Sequence, residues 1–333
     1  MTVEPLSPGN VSPDSNRLAS TWSPKAPLPA PIAEVGVGQV ADKIYVVGGT
    51  DQQDHAVATT MRYDPALDSW ETCHPLPQAL HHVAVAELDG LLYAIGGLAA
   101  NVHIAPQRVV FAYDPKVDRW SEVAPMSIER GSVAAVAFAG KIHVFGGRVS
   151  EKVVKMSPPN TPEMLLGIGT VTKHEVYDPA ADRWSSSEPL PGPPRDHMGV
   201  AVLGDAIHVF GGRINDYSDM LDRHDVFVPR TKTWASAAPL PRPRSAGAFT
   251  VLHDRIIYAG GECKPGGEPF TANAFEDVDS YDPSTDTWSA LTPLPQGRHA
   301  FGAATVDGVA YFAGGALLCG GGASTDLLAL TVG

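Results

Sequence analysis

Short apolar runs, each closed by a pair of glycines, recur along the chain at intervals of roughly fifty residues. They read IYVVGG to Gly49, LYAIGG to Gly97, IHVFGG to Gly147 and again to Gly212, IIYAGG to Gly261 and VAYFAGG to Gly315. Runs this short, rich in β-branched and aromatic residues and bounded by turn formers, predict buried strands and not helices. A second pattern follows the first five: YDPALDSW to Trp70, YDPKVDRW to Trp120, YDPAADRW to Trp184, FVPRTKTW to Trp234 and YDPSTDTW to Trp288. Five of the six tryptophans thus hold one repeat position. The sixth, Trp22, has no Gly pair before it, and the last Gly pair has no Trp after it.

Each unit predicts four short strands. The first two form a hairpin through turns such as Asp89-Gly90 and Asp307-Gly308, whose residues tolerate positive φ. The Gly pair ends the second strand where a side chain would obstruct a close backbone approach. Pro in the Tyr-Asp-Pro segment cannot donate to a ladder and turns the chain into a fourth strand carrying the Trp. A lone four-stranded sheet cannot bury both faces, but a ring of six can. The expected fold is therefore all-β, a six-bladed β-propeller over residues 17–333 behind a flexible tail at 1–16. Residues around Leu18–Ser23 should supply the fourth strand missing from the last blade, beside a third strand at about Thr325–Leu330, so the ring has no open seam. Phe227-Val228-Pro229 replaces Tyr-Asp-Pro in the fourth repeat, which weakens that turn without breaking the register.

Composition narrows the function classes. The 333 residues are 44% hydrophobic and 18% charged, ordinary for a folded protein, with 33 Gly and 30 Pro to serve many turns. Twenty-four basic against 37 acidic residues give a formal charge of −13, which disfavours nucleic-acid phosphates as a partner. Met1–Arg17 lacks a basic start followed by an apolar run, as a secretory signal would have, and nothing approaches the roughly 18 apolar residues of a spanning helix. A cytoplasmic protein without a membrane partner is expected. Its oligomeric state is open, although a closed ring has no sheet edge that demands a partner.

Propeller topology places the long loops on one face, and sites favour variable loops on rigid scaffolds. Seventeen residues before the second Gly of each pair stand Ile32, Leu80, Arg130, Arg195, Arg244 and Arg298. The next two positions add His81 and His82, Asp196 and His197, and His299; Thr50, Leu98, Arg148, Arg213, Glu262 and Ala316 follow the Gly pairs. Six arginines and several histidines are therefore expected at one mouth, suited to a carboxylate or phosphate. A structural role is open to the four repeated arginines, which could instead hold a loop carbonyl or a neighbouring Asp. Arg148 and Arg213 are not shared by other blades and are the stronger functional candidates. The segment from Gly147 to Tyr177 is about fifteen residues longer than its counterparts in blades one, two and four and carries Pro158, Pro159 and Met164-Leu165-Leu166, which suits a lid over 148–170 or a plain surface excursion. The Glu262–Phe275 loop, with Lys264-Pro265-Gly266-Gly267, is also extended.

Cys263 and Cys319 fall in equivalent loops of adjacent blades, where they could approach each other with His299 nearby; the close ligand pairing of zinc motifs is absent, so no metal is expected and two ordinary thiols are, with a pairing between them left open. Gly320-Gly321-Gly322 opens no helix and is not a phosphate loop.

The Gly pairs and their Tyr-Asp-Pro…Trp partners cover almost the whole chain and resemble the Kelch family. That resemblance implies adaptors gripping acidic peptides with loop arginines and serines, or enzymes: copper radical oxidases, a sialic-acid mutarotase and iron-dependent specifier proteins. The Tyr–Cys ligand set of the copper oxidases cannot be located here, and no Glu, Asp and His each separated by three residues occurs, as the specifier proteins require. An arginine-rich mouth is similar to what a sugar acid would need. Adaptor relatives carry an oligomerisation domain for which this chain has no room. The expectation is a binding propeller for an anionic small molecule or acidic peptide, held by Arg130, Arg148, Arg195, Arg213, Arg244, Arg298, His82 and His299, with no cofactor. The alternative is an isomerase, lyase or cyclase without redox cofactor, with Glu262 or His197 transferring protons under the 148–170 lid.

Overall fold

A computed structural model describes residues 19–100, 104–157, 161–214, 217–263 and 271–333, with the backbone alone for 151–157, 161–168 and 217. The expected tail at 1–16 and the Lys264–Gly267 segment lie outside the described residues.

Six four-stranded antiparallel sheets stand around a channel. In blade one the strands are Gly36–Val40, Lys43–Val47, Thr60–Asp64 and Ser69–Thr72, in that spatial order, and blades two to five repeat it. Blade six takes Gly302–Val306, Val309–Ala313 and Leu327–Val332 from the end of the chain and Ser20–Pro24 from its start. Trp22 pairs with Leu330 there, so the ring closes as the sequence predicts. The innermost strands of neighbouring blades pack on one another all the way round. Among the described residues no helix is long and apolar enough to cross a membrane.

Two circles of contacts bind blade to blade. At the rim each Trp indole donates to a backbone carbonyl of the preceding blade: Trp70 to Ala26 at 2.8 Å, Trp120 to His74 at 3.0 Å, Trp184 to Ala124 at 2.7 Å, Trp288 to Ala238 at 2.9 Å and Trp22 to Thr292 at 2.9 Å. Trp234 of the irregular fourth blade reaches Glu188 only at 3.4 Å. In four blades the Tyr hydroxyl donates to an Asp five residues on, whose carboxylate also accepts a backbone N–H from the preceding blade, as Asp68 does from Tyr63 and Ala26. Phe227 and Lys232 stand at those two positions in blade four, and the register is intact there.

The Gly pairs sit at the inner circle. Gly146 has φ +57°, and a Cβ there would lie 2.5 Å from the carbonyl oxygen of Arg195 in the next blade. The predicted close approach is thus between blades.

The segment expected to be a long loop is regular: Arg148–Ser157 and Thr161–Thr170 pair as a two-stranded antiparallel ribbon from Arg148↔Thr170 to Ser157↔Thr161. The side chains of Met164, Leu165 and Leu166 lie outside the description.

Candidate functional site

The residue two places after each arginine position leads into the innermost strand. In all six blades it has the left-handed backbone: Glu34, His82, Ser132, His197, Ala246 and Ala300, with φ between 52° and 58°. None is β-branched, which that region penalises most. Their backbones form a closed circle. The N–H of His82 donates to Glu34 O, Ser132 to His82, His197 to Ser132, Ala246 to His197, Ala300 to Ala246 and Glu34 to Ala300, at 2.7–3.2 Å. This collar bounds a cavity of about 150 Å³ whose walls are mostly apolar, among them Val37, Val85, Ala135, Met198, Phe249 and Phe301.

Blades one to four give the collar a polar arc; blades five and six contribute only methyl groups. Glu34 Oε2 lies 2.9 Å from His82 Nε2. His82 Nδ1 faces His81 Nδ1 at 2.6 Å, and His81 Nε2 faces Ala100 O at 2.7 Å. The carbonyl oxygen can only accept, so His81 Nε2 carries a proton. Burial, then His82, pushes the His81 imidazole down to about 4, so it is neutral and its Nδ1 accepts from His82. The Glu34 carboxyl sits well below its usual range: burial alone would raise it, and His82, His197 and His299 outweigh that.

His197 is held from the other side. Its Nδ1 donates to Asp196 Oδ1 at 2.6 Å, and Arg213 approaches its Nε2 at 3.3 Å. Burial, then Arg213, lowers this imidazole to about 4 despite Asp196. Asp196, itself buried, stays ionised because His197, Arg148 and Arg213 together outweigh desolvation; Arg148 Nε donates to its Oδ2 at 2.7 Å. The His82 and His197 rings meet edge to face with centroids 5.0 Å apart. Ser132 Oγ, on the arc between them, is buried and has no hydrogen-bond partner among the described residues.

The arginines expected at the mouth are held inside the protein. Arg130, Arg195, Arg244 and Arg298 are all at most 2% exposed and turned into their own blades. Arg130 donates to Gly146 O at 2.6 Å, Lys173 O at 3.2 Å and Glu175 at 2.7 Å. Arg195 pairs with Asp225 and Pro191 O; Arg244 with Asp279, Gly260 O and Asp277 O; Arg298 with Asp326 and Gly314 O. Of the two roles open to them, these partners match the structural one. Blades one and two replace the pair as a unit: Ile32 and Met61 share one apolar cluster, Leu80 and Phe111 another.

Arg148 and Arg213 do reach the channel end, but buried among carboxylates. Arg213 binds Glu262 and stands 3.4 Å from Asp196. Glu262 is a poor proton-transfer group in this setting: burial would raise its carboxyl, and Arg213, then His299 and His197, bring it below the usual value. His299 is buried with Nε2 on Leu318 O at 2.8 Å. Cys263 and Cys319 are not two thiols but a disulfide between blades five and six, Cα atoms 4.7 Å apart, and so offer no thiolates to a metal. Glu34 was missed by a reading keyed to arginine, although it stands in the same repeat register as His82 and His197.

Among the described residues, the ligand atoms of Glu34, His82 and His197 lie within 4.8 Å of one another, a grouping able to hold a metal ion.

Comparisons with known proteins agree with the architecture. The family model of the Kelch motif matches residues 31–77 and 79–127. Kelch-like protein terF of Aspergillus terreus is 28% identical over 317 residues, 93% of this chain and 55% of that protein. Kelch-like protein 35 of Homo sapiens is 31% identical over 153 residues, 46% of this chain and 24% of that protein. The chain therefore spans about half the length of the first and a quarter of the second. The solved structure of YjhT superposes with a TM-score of 0.73 at 19% identity, covering 92% of this chain and 96% of that one, a likeness of fold alone.

Proposed function

Because the chain is a six-bladed β-propeller built of Kelch repeats, a fold that generally serves binding, we propose that it is a binding propeller whose working site is the channel collar. The observation that supports this is the polar arc of Glu34, His82, Ser132 and His197 at one end of an otherwise apolar cavity. Small-molecule sites have this make-up, an apolar wall with a few convergent polar groups. A cavity of about 150 Å³ accepts a body the size of benzene. The ligand is a small molecule whose apolar end enters the channel and whose hydroxyl or carbonyl meets the polar arc of Glu34, His82, Ser132 and His197. An anionic head or acidic peptide, the class suggested by the sequence, would have to displace Glu262 from Arg213 or Glu34 from His82, so a neutral polar head is favoured.

A second reading, proton transfer without a redox cofactor, is favoured by the Asp196–His197 dyad facing the Glu34–His82 pair across the collar. His197 is its general base, with the Glu34–His82 pair facing it across the collar.

The test is a thermal-shift screen of small phenols, lactones, sugar acids and acidic peptides against the protein and Ala84→Leu, which narrows the cavity wall without touching a collar hydrogen bond. A ligand that stabilises the parent and not the variant supports the channel reading, and turnover of that ligand supports the second. A ligand that stabilises both equally overturns the channel as its site.

A further inference from the structure

We propose that Glu34, His82 and His197 form a binding site for one divalent first-row transition-metal ion, with at least one coordination position directed into the channel cavity. The inference rests on the channel being the working site, but not on any organic ligand entering it.

Four observations carry it. The first is the donor set. Two imidazoles and one carboxylate suit ions of the zinc and iron class, and a site with only three protein ligands leaves positions open. The second is how the imidazoles are held. A metal-bound histidine characteristically gives its other ring nitrogen to a carboxylate, a carbonyl or another fixed acceptor, which sets the tautomer and aims the free nitrogen. His197 Nδ1 is fixed by Asp196 at 2.6 Å and His82 Nδ1 by His81 at 2.6 Å, the latter chain ending on Ala100 O. His82 Nε2 lies 2.9 Å from Glu34 Oε2, and His197 Nε2, on the ring edge away from Asp196, lies 3.3 Å from Arg213. The third is backbone rigidity: the three residues occupy equivalent left-handed positions in blades one, two and four, each clamped by the collar circle. Only side chains must move to contract the 4.8 Å spread to the roughly 3.4 Å edges of a tetrahedral site with bonds of about 2.1 Å.

The fourth is charge. Three carboxylates, the partly exposed Glu34 and the buried Asp196 and Glu262, meet two buried guanidiniums, Arg148 and Arg213, so this group of five carries 2 − 3 = −1 before the histidines are counted. Arg213, 3.3 Å from His197 Nε2, already has Glu262 as an alternative partner to which it can retreat. Ser132 Oγ faces the same cavity without a hydrogen-bond partner among the described residues, placed to hold a water or ligand atom on the ion.

The test is titration of the chelator-treated protein with Co²⁺, followed by its visible d–d absorption, with Zn²⁺ as competitor. The parent is expected to bind one Co²⁺ per chain with intensified, four- or five-coordinate bands that Zn²⁺ abolishes. Glu34→Gln and His197→Gln are expected to weaken binding by at least roughly tenfold, since loss of even an outer partner of a metal ligand does that much. His253→Gln, at an exposed histidine on a blade-five turn, is expected to change nothing. Should His197→Gln fail to fold by circular dichroism, Glu34→Gln decides, because its side chain keeps volume and shape. Absence of saturable binding by the parent, or equal affinity in Glu34→Gln, overturns the proposal. Metal binding with no organic ligand leaves this site standing and removes the small-molecule reading; a ligand lost in Ala84→Leu with no metal bound does the reverse.

Discussion

Arg130 and Glu175 form an ion pair of 2.7 Å in which both side chains are withdrawn from water, the arginine entering blade three ahead of its first strand and the glutamate standing on its third. The same relation links Arg195 to Asp225 and Arg244 to Asp279, while Leu80 and Phe111 stand at the two positions in blade two. Breaking such a pair strands a charge, whereas exchanging both partners for packed apolar groups need not destabilise. Arg130→Ala is expected to lower unfolding free energy by about 3–5 kcal/mol, and Arg130→Leu with Glu175→Phe, blade two's own solution, to recover most of it. Urea unfolding of the two variants checks this; a double variant as unstable as the single would refute the exchange.

Acid should loosen blades three and four first. His143 Nδ1 lies 3.0 Å from His174 Nε2, and His208 Nδ1 lies 2.8 Å from His224 Nε2, each pair ending on a backbone carbonyl, Glu188 O or Ala238 O. Burial depresses His143 and His208 to about 4 and His174 to about 3; Lys141 adds to it at His143, His143 and Arg130 at His174, and His224 at His208, while Asp286 pulls His208 the other way. His224 is lowered as well, against the pull of Asp286 and Asp225. A depressed folded-state value means that the unfolded chain takes up protons first. Their contribution is complete above about 6.5 and is lost as pH falls toward 4, on the order of 1–3 kcal/mol per histidine. Urea midpoints at pH 7.5, 6 and 5 should fall in that order, and a flat profile would contradict the neutral pairs.

Blade four offers a stabilising repair. Phe227→Tyr and Lys232→Asp together restore the hydroxyl–carboxylate bond that the other YDP blades make at 2.6–2.8 Å, with a carboxylate for the backbone N–H of Glu188. The pair is expected to add about 1–2 kcal/mol, and more than the sum of the single changes. Thermal midpoints of the two single variants and the double close the cycle; additivity would mean that the bond does not form.

The Cys263–Cys319 bridge closes a loop with a sequence separation of 56 residues. Denatured, unreduced protein is expected to show one reactive thiol, that of Cys73, and the reduced protein to lose about 2–4 kcal/mol. Three thiols would mean that the pair is open. The same count on protein taken straight from cells bears on the cytoplasmic expectation, since such bonds are rare in a reducing compartment.

The architecture was legible because its determinants are local and repeated: a Gly pair, a Pro-turn and a Trp recur in register, and Trp22 announces its displacement by standing alone. The arginines were legible in position but not in role. Their acidic partners, Glu175, Asp225 and Asp279, also recur in register two residues before the Tyr or Phe of the third strand, and that covariation between repeats was the available signal. The collar was harder to see. Its circle joins residues some fifty positions apart, and Glu34 lies in a blade whose arginine position is Ile32. The ribbon at 148–170 has no signal in the repeat pattern because its strand pairing runs outside the repeat.

A circle of hydrogen bonds made only of backbone atoms is indifferent to the side chains it carries. The number of repeats sets the bore of this channel, and the six residues lining its rim are free to differ as long as each tolerates a left-handed turn. Duplicated repeats can therefore diverge at that one position, one blade at a time, and alter what the channel accepts without rebuilding the walls that hold it. The present rim, acidic, basic and hydroxylic on one side and bare methyl on the other, is a single combination drawn from a large repertoire that the same scaffold would support.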